Sequence, residues 1–166
     1  MEVDIREAAE RDYQSLCLII GEVDGMHRDA LPEWFRAPDG PSRQRGYIRD
    51  LIRAPDVGLF VAETAGDLVG FVHVVLRDTP DISILVPRRY AVIDNLVVKH
   101  GSRQQGIGRA LMGRAEAWAR ARGASSMELT VYAFNQAAQR FYRELGYTVL
   151  SHKMTKPLEA GQSETE

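Results

Sequence analysis

The run Tyr90-Ala-Val-Ile-Asp-Asn-Leu-Val-Val98 constrains this chain more than any other stretch. It is almost continuously apolar, as expected of a central strand buried on both faces rather than one that alternates between core and water. A helical pattern follows from Gly106 to about Arg122, with Ile107, Leu111, Ala115 and Trp118 on one face. Met127-Glu-Leu-Thr-Val-Tyr132 then reads as a second strand. Strand, helix and strand in that order imply a parallel step, because parallel neighbours need a crossover connection.

The remaining elements fit around that step. Residues 2–8 alternate apolar and polar, a short first strand. Asp12 is placed to cap a helix to about His27 with Leu16, Ile19, Ile20 and Val23 inward, and Ser42 to cap another to about Arg53. Gly58–Glu63 and Asp67–Leu76, joined by Thr64-Ala-Gly66, predict an antiparallel hairpin. Residues 78–89 form a longer excursion. Asn135 is placed to cap a helix with Ala138, Phe141 and Leu145 inward, which Gly146 ends. Tyr147–Leu150 and His152–Thr155 read as a final pair of strands. The expectation is a single α/β domain over residues 2–156, followed by a polar, disordered tail at 157–166.

Composition narrows the function classes. A net charge of −2 gives no electrostatic reason for a nucleic acid or an anionic membrane as main partner. No run reaches the ~20 apolar residues that span a bilayer. The N-terminus lacks a signal-peptide layout, and Cys17 is the only cysteine, which suits a reducing cytoplasm. The four histidines are scattered without partners at ligand spacing, so no metal site is expected.

Gly106 and Gly108 raise a specific question, since each glycine in a helix costs about 1 kcal/mol relative to alanine. Gly101 and Gly106 have the separation of a phosphate-binding P-loop, but Ile107-Gly108 stands where that motif needs Lys-Ser/Thr. A dinucleotide fingerprint needs a further glycine where Leu111 stands. Arg103-Gln-Gln-Gly-Ile-Gly108 fits a third pattern, Arg/Gln-x-x-Gly-x-Gly/Ala. The first turn of a helix offers unpaired N–H groups and a partial positive charge, and glycine lets a pyrophosphate approach them. Arg103 and Arg109 can add charge-assisted contacts. A turn that merely reverses the chain would carry the same glycines.

A second signature lies downstream: Asn135-x-x-Ala138-x-x-Phe141-Tyr142-x-x-Leu145-Gly146-Tyr147. With both motifs in this order, the chain resembles the GNAT superfamily of acetyl-CoA-dependent N-acetyltransferases over roughly residues 2–156. Tyr147 in place of phenylalanine is the one mild departure in that second motif. The resemblance implies a single-domain, mixed, mostly antiparallel sheet with a splayed parallel central pair and helices on both faces. It further implies transfer of acetyl from acetyl-CoA to a primary amine by direct attack in a ternary complex. A non-catalytic acyl-CoA-binding sensor or regulatory module is the alternative, and the acceptor could equally be a small molecule, a peptide or a protein.

By the same resemblance, backbone groups of Leu96, Val97 and Val98 hold the pantetheine arm of coenzyme A. The N–H groups of Gln104, Gln105, Gly106, Ile107, Gly108 and Arg109 take the pyrophosphate, with Arg103 beside them. Asn135 touches the cofactor near the thioester, and Tyr142 is both cofactor contact and general acid for the departing thiolate. An amine with a pKa of ~10.4 must lose a proton before it attacks, and a carboxylate commonly accepts it. Asp94, a lone charge in an apolar strand that shares a face with Val92, Leu96 and Val98, is the candidate. Glu22, His27, Trp34 and Phe35 cluster where the family recognises acceptors, and acidic plus aromatic side chains suit a cationic amine. Homodimers are common among such folds, but the sequence identifies no interface.

Overall fold

A computed structural model describes residues 3–158; of the expected tail, 159–166 lie outside the described residues. The chain divides into two compact units at the boundary between Phe134 and Asn135.

The first unit holds the sheet. Its strands are β1 (Asp4–Glu7), β2 (Val57–Thr64), β3 (Asp67–Asp78), β4 (Arg89–Val98) and β5 (Met127–Leu129), in the spatial order β1-β2-β3-β4-β5. All neighbours are antiparallel except β4 and β5, which are parallel, as the sequence pattern requires. Helices α1 (Tyr13–Ala30) and α2 (Arg45–Arg53) precede the β2–β3 hairpin, and α3 (Ile107–Ala121) crosses over between β4 and β5.

Side-chain alternation sorts the core into two layers. Leu59, Val61, Phe71 and Val97 turn one sheet face towards Leu16, Ile19 and Ile20 of α1 and Ile48 of α2. On the other face α3 packs against β2, β3 and β4, with the rings of Phe60 and Trp118 6.4 Å apart. Every inward residue expected of α3 (Ile107, Leu111, Ala115, Trp118) is buried. Helices therefore cover both faces of a mixed sheet.

Two expected caps are used differently. Asp12 stands at the N-cap of α1 but makes no capping bond. Its carboxylate instead accepts from Nη1 and Nη2 of Arg6 at 2.7 and 2.9 Å and from the Ala9 N–H at 2.8 Å. The guanidinium lowers the Asp12 pKa and outweighs a single cap contact. Ser42 lies outside α2, whose N-cap is Gln44, and donates its hydroxyl to the Cys17 carbonyl at 3.4 Å.

The second unit contains α4 (Gln136–Glu144), ended by Gly146 at φ +92°. Tyr147–Leu150 and His152–Thr155, expected as strands, form none among the described residues of this unit. A strand exists only through its ladder partner, and α4 offers none.

Candidate functional site

The parallel pair opens early. β5 pairs only with Ala91, Val92 and Ile93 of β4, while β4 continues to Val98. Leu96, Val97 and Val98 keep their partners on β3, namely Val72, Phe71 and Gly70. On the side facing β5, their stretch of β4 lies beyond the ladder.

Beyond Val98 the chain makes a 3₁₀ turn at His100–Ser102 and then the loop leading into α3. Gln104 at φ +62° and Gly106 at φ +80° both adopt the left-handed conformation. Where left-handed and right-handed residues follow one another, successive N–H groups can turn towards one side and form an anion-binding nest. Gly106 is the N-cap of α3; no side chain caps this helix and its first turn holds no acid. A Cβ on Gly106 would meet nothing within 4 Å, so open space lies above this helix end. The glycine is favoured by its backbone angle, since no neighbour crowds the position. Ile107, 1% exposed, anchors the turn from below, with Gly108 and Arg109 following in α3. Arg103, Gln104, Gln105 and Arg109 are exposed. Arg103 is also committed locally, since its Nε donates to the Val98 carbonyl at 3.0 Å.

Asp94 sits at an irregularity in β4. In the β3–β4 ladder His73 faces Asn95 and the next residue, Val74, faces Ile93, so Asp94 has no partner across the ladder. It is the extra residue of a β-bulge, and a bulge re-aims side chains. The expected face shared with Val92, Leu96 and Val98 is therefore incorrect, because the bulge breaks the alternation between Val92 and Leu96. Asp94 Oδ2 instead lies 3.3 Å from His73 Nδ1, with side-chain exposures of 53% and 5% respectively. Burial lowers the pKa of His73, against the opposing pull of Asp94. In the sequence His73 is one of four scattered histidines without partners at metal-ligand spacing, and that spacing gives it no role. A histidine within an eight-residue apolar stretch of β3 was the available signal.

The residues expected to meet the acceptor separate. His27 and Phe35 come together, ring centroids 5.3 Å apart. Tyr132 and Phe134 join them, at 5.2 and 5.8 Å from the His27 ring. Sequence reasoning missed these two, because they come from the far side of the crossover. Glu22 stands apart from the rings, its carboxylate accepting from the His100 N–H at 3.3 Å. Trp34 is 53% exposed and belongs to no ring pair of this cluster.

In the second unit Asn135 caps α4, its Oδ1 accepting from the Ala138 N–H at 3.1 Å. The Tyr142 ring packs between Phe141 at 5.3 Å and Tyr147 at 5.8 Å. Burial pushes its hydroxyl up to about 12.

An uncapped helix N-terminus under open space follows a strand that has left its parallel neighbour in this α/β fold. These residues fit coenzyme A, whose pyrophosphate needs unpaired N–H donors and whose pantetheine needs a strand edge. A family model described as the acetyltransferase (GNAT) family matches residues 23–147, and the chain belongs to that family. An uncharacterised N-acetyltransferase of Methanocaldococcus jannaschii is 37% identical over 103 residues, 62% of this chain and 44% of that protein. The chain thus spans less than half the length of that curated relative. Among solved structures, a tetramutant of a Bacillus halodurans protein superposes with a TM-score of 0.89 at 26% identity, covering 93% of this chain and 99% of that one. An aminoglycoside N-acetyltransferase bound to a bisubstrate analogue that contains CoA shares the fold, with TM-score 0.73, 16% identity and coverage of 96% and 100%. Among the described residues no helix is long and apolar enough to cross a membrane.

Proposed function

We propose that this protein is an N-acetyltransferase that moves acetyl from acetyl-CoA to a primary amine by direct attack in a ternary complex. The observation that carries the reading is the uncapped start of α3, entered through left-handed Gln104 and Gly106 at the end of a splayed strand. Acetyl-CoA supplies the activated acetyl group.

The N–H groups from Gln104 to Arg109 bind the pyrophosphate, aided by the positive end of the α3 dipole. Arg109 adds charge there, while Arg103 keeps Val98 in place. The backbone of Leu96 to Val98 holds the pantetheine as an added strand would. Asp94 accepts the proton that an ammonium must lose before its nitrogen can attack. Tyr142, protonated up to about pH 12, donates to the departing thiolate, and Asn135 contacts the cofactor near the thioester. The aromatic faces of His27, Phe35, Tyr132 and Phe134 suit a cationic acceptor.

Thiol release from acetyl-CoA, followed across a panel of small-molecule amines, peptides with a free N-terminus and lysine peptides, tests the reading. Turnover with at least one amine is expected. Tight CoA binding without turnover on any amine would instead identify an acyl-CoA sensor.

A further inference from the structure

The buried imidazole of His73 has one ring nitrogen that the fold leaves unsatisfied. Nε2 is buried and has no partner among the described residues, whereas Nδ1 lies 3.3 Å from Asp94 Oδ2. A neutral imidazole carries one N–H. Putting that proton on Nε2 would leave the bare Nδ1 lone pair against a carboxylate oxygen at 3.3 Å, two acceptors with no proton between them. Putting it on Nδ1 sets it between the ring and the Asp94 carboxylate, 3.3 Å away. Burial keeps the ring neutral, so the Nδ1–H tautomer is the one the surroundings favour.

This leaves Nε2 as a bare acceptor. His73 lines a cavity of ≈ 20 Å³ between the sheet and the α1–α2 layer. A buried water needs roughly 10–15 Å³ and two to four polar partners. Asn95, Tyr47 and Arg43 line the same cavity and give it polar lining beside His73. The titratable groups facing His73 are Asp94 from β4, Tyr47 from α2 and Arg43 from the turn before α2. From α1 and β2 the cavity receives only Leu16, Ile20 and Leu59.

We propose that His73 is a positioning residue for Asp94: its Nδ1–H holds one carboxylate oxygen at the β4 bulge, and its Nε2 is fixed by a buried water. This rests on the reading of Asp94 as proton acceptor. A carboxylate at a bulge, half exposed and without a ladder partner, is otherwise held by its own rotamer alone. With Oδ2 engaged, Oδ1 takes the amine's proton: the N–H bond breaks, its electron pair stays on nitrogen, and the O–H bond forms on Asp94. His73 exchanges no proton in this step. It sets where the accepting oxygen stands.

The test is a double-mutant cycle with a spectroscopic check. His73→Leu should lower kcat about tenfold, with the KM for acetyl-CoA unchanged. His73→Asn, whose amide N–H stands near the place of Nδ1, should recover most of that loss. In an Asp94→Asn background, His73→Leu should cost less than about twofold more, because the two residues act as one unit. Imidazole nitrogen NMR of the wild-type protein should show Nδ1 protonated and Nε2 bare, and thermal melts confirm that each variant folds. Full additivity of the two substitutions overturns the proposal, and so does a protonated Nε2, which stands as a readout even if no variant at 73 folds. A wild-type protein without turnover on any amine removes the acetyltransferase reading and this inference with it. An active protein with an additive cycle removes the inference alone.

Discussion

Tyr142, the proposed general acid, has an environment that bears directly on that role. Its raised pKa keeps the phenol protonated at every pH at which an acetyltransferase works. Tyr142→Phe should lower kcat by about 10- to 100-fold, below or within the usual range for general acid catalysis, because a thiolate of pKa ~8.5 leaves fairly well unaided. CoA affinity, measured by calorimetry, should stay within about twofold. A drop in affinity as large as the drop in rate would instead make Tyr142 a binding residue. Asp94→Asn keeps the shape and removes the proposed base. Its rate at pH 7.5 should fall by about 100-fold, and raising the pH should recover part of that loss as neutral amine becomes available.

At the scale of elements, two glycines are fixed by different physics. Gly106 at φ +80° faces open space, so Gly106→Ala meets no neighbour but must hold a left-handed alanine at roughly 1–2 kcal/mol. The expected result is a small loss of thermal stability with a larger loss of CoA affinity, about tenfold, because relaxing this angle swings the N–H groups of the loop apart. Gly70 is the opposite case. A Cβ there would stand 2.7 Å from the Val97 carbonyl oxygen and 3.2 Å from Leu111 Cδ1. Gly70→Ala should destabilise by about 1–3 kcal/mol in denaturant titration, pushing β3 from β4 on the strand whose other edge belongs to the proposed cofactor site. The bulge at Asp94 shows the same dependence on context, since one unpaired residue decides which face a carboxylate joins.

At the scale of the whole molecule, stability should fall at both ends of the pH range. The unfolded chain binds a proton at His73 near pH 6.5, while the folded chain resists it. Unfolding therefore takes up a proton and stability declines as pH drops below that point. A second loss follows lower down, as pH falls below about 3.8 and Asp12 must be protonated against the Arg6 guanidinium. Tyr142 acts in the other direction: from about pH 10 upwards the unfolded chain loses the phenol proton first, so stability declines towards pH 12. Melting temperatures from pH 3 to 11 check all three, and His73→Asn should flatten the decline just below pH 6.5. The sequence alone determined the order of most elements, the parallel step and the glycine start of α3, because hydrophobic periodicity and glycine placement act locally along the chain. It equally carried the family, through two short motifs on either side of β5. The tertiary structure alone decided the rest. It decided which sheet face Asp94 joins, that His73 stands behind it, and that Tyr132 and Phe134 reach His27 while Glu22 turns to His100. Those outcomes depend on strand register and on contacts across 21 to 107 residues of chain, and a one-residue bulge reverses every alternation that a linear reading assumes.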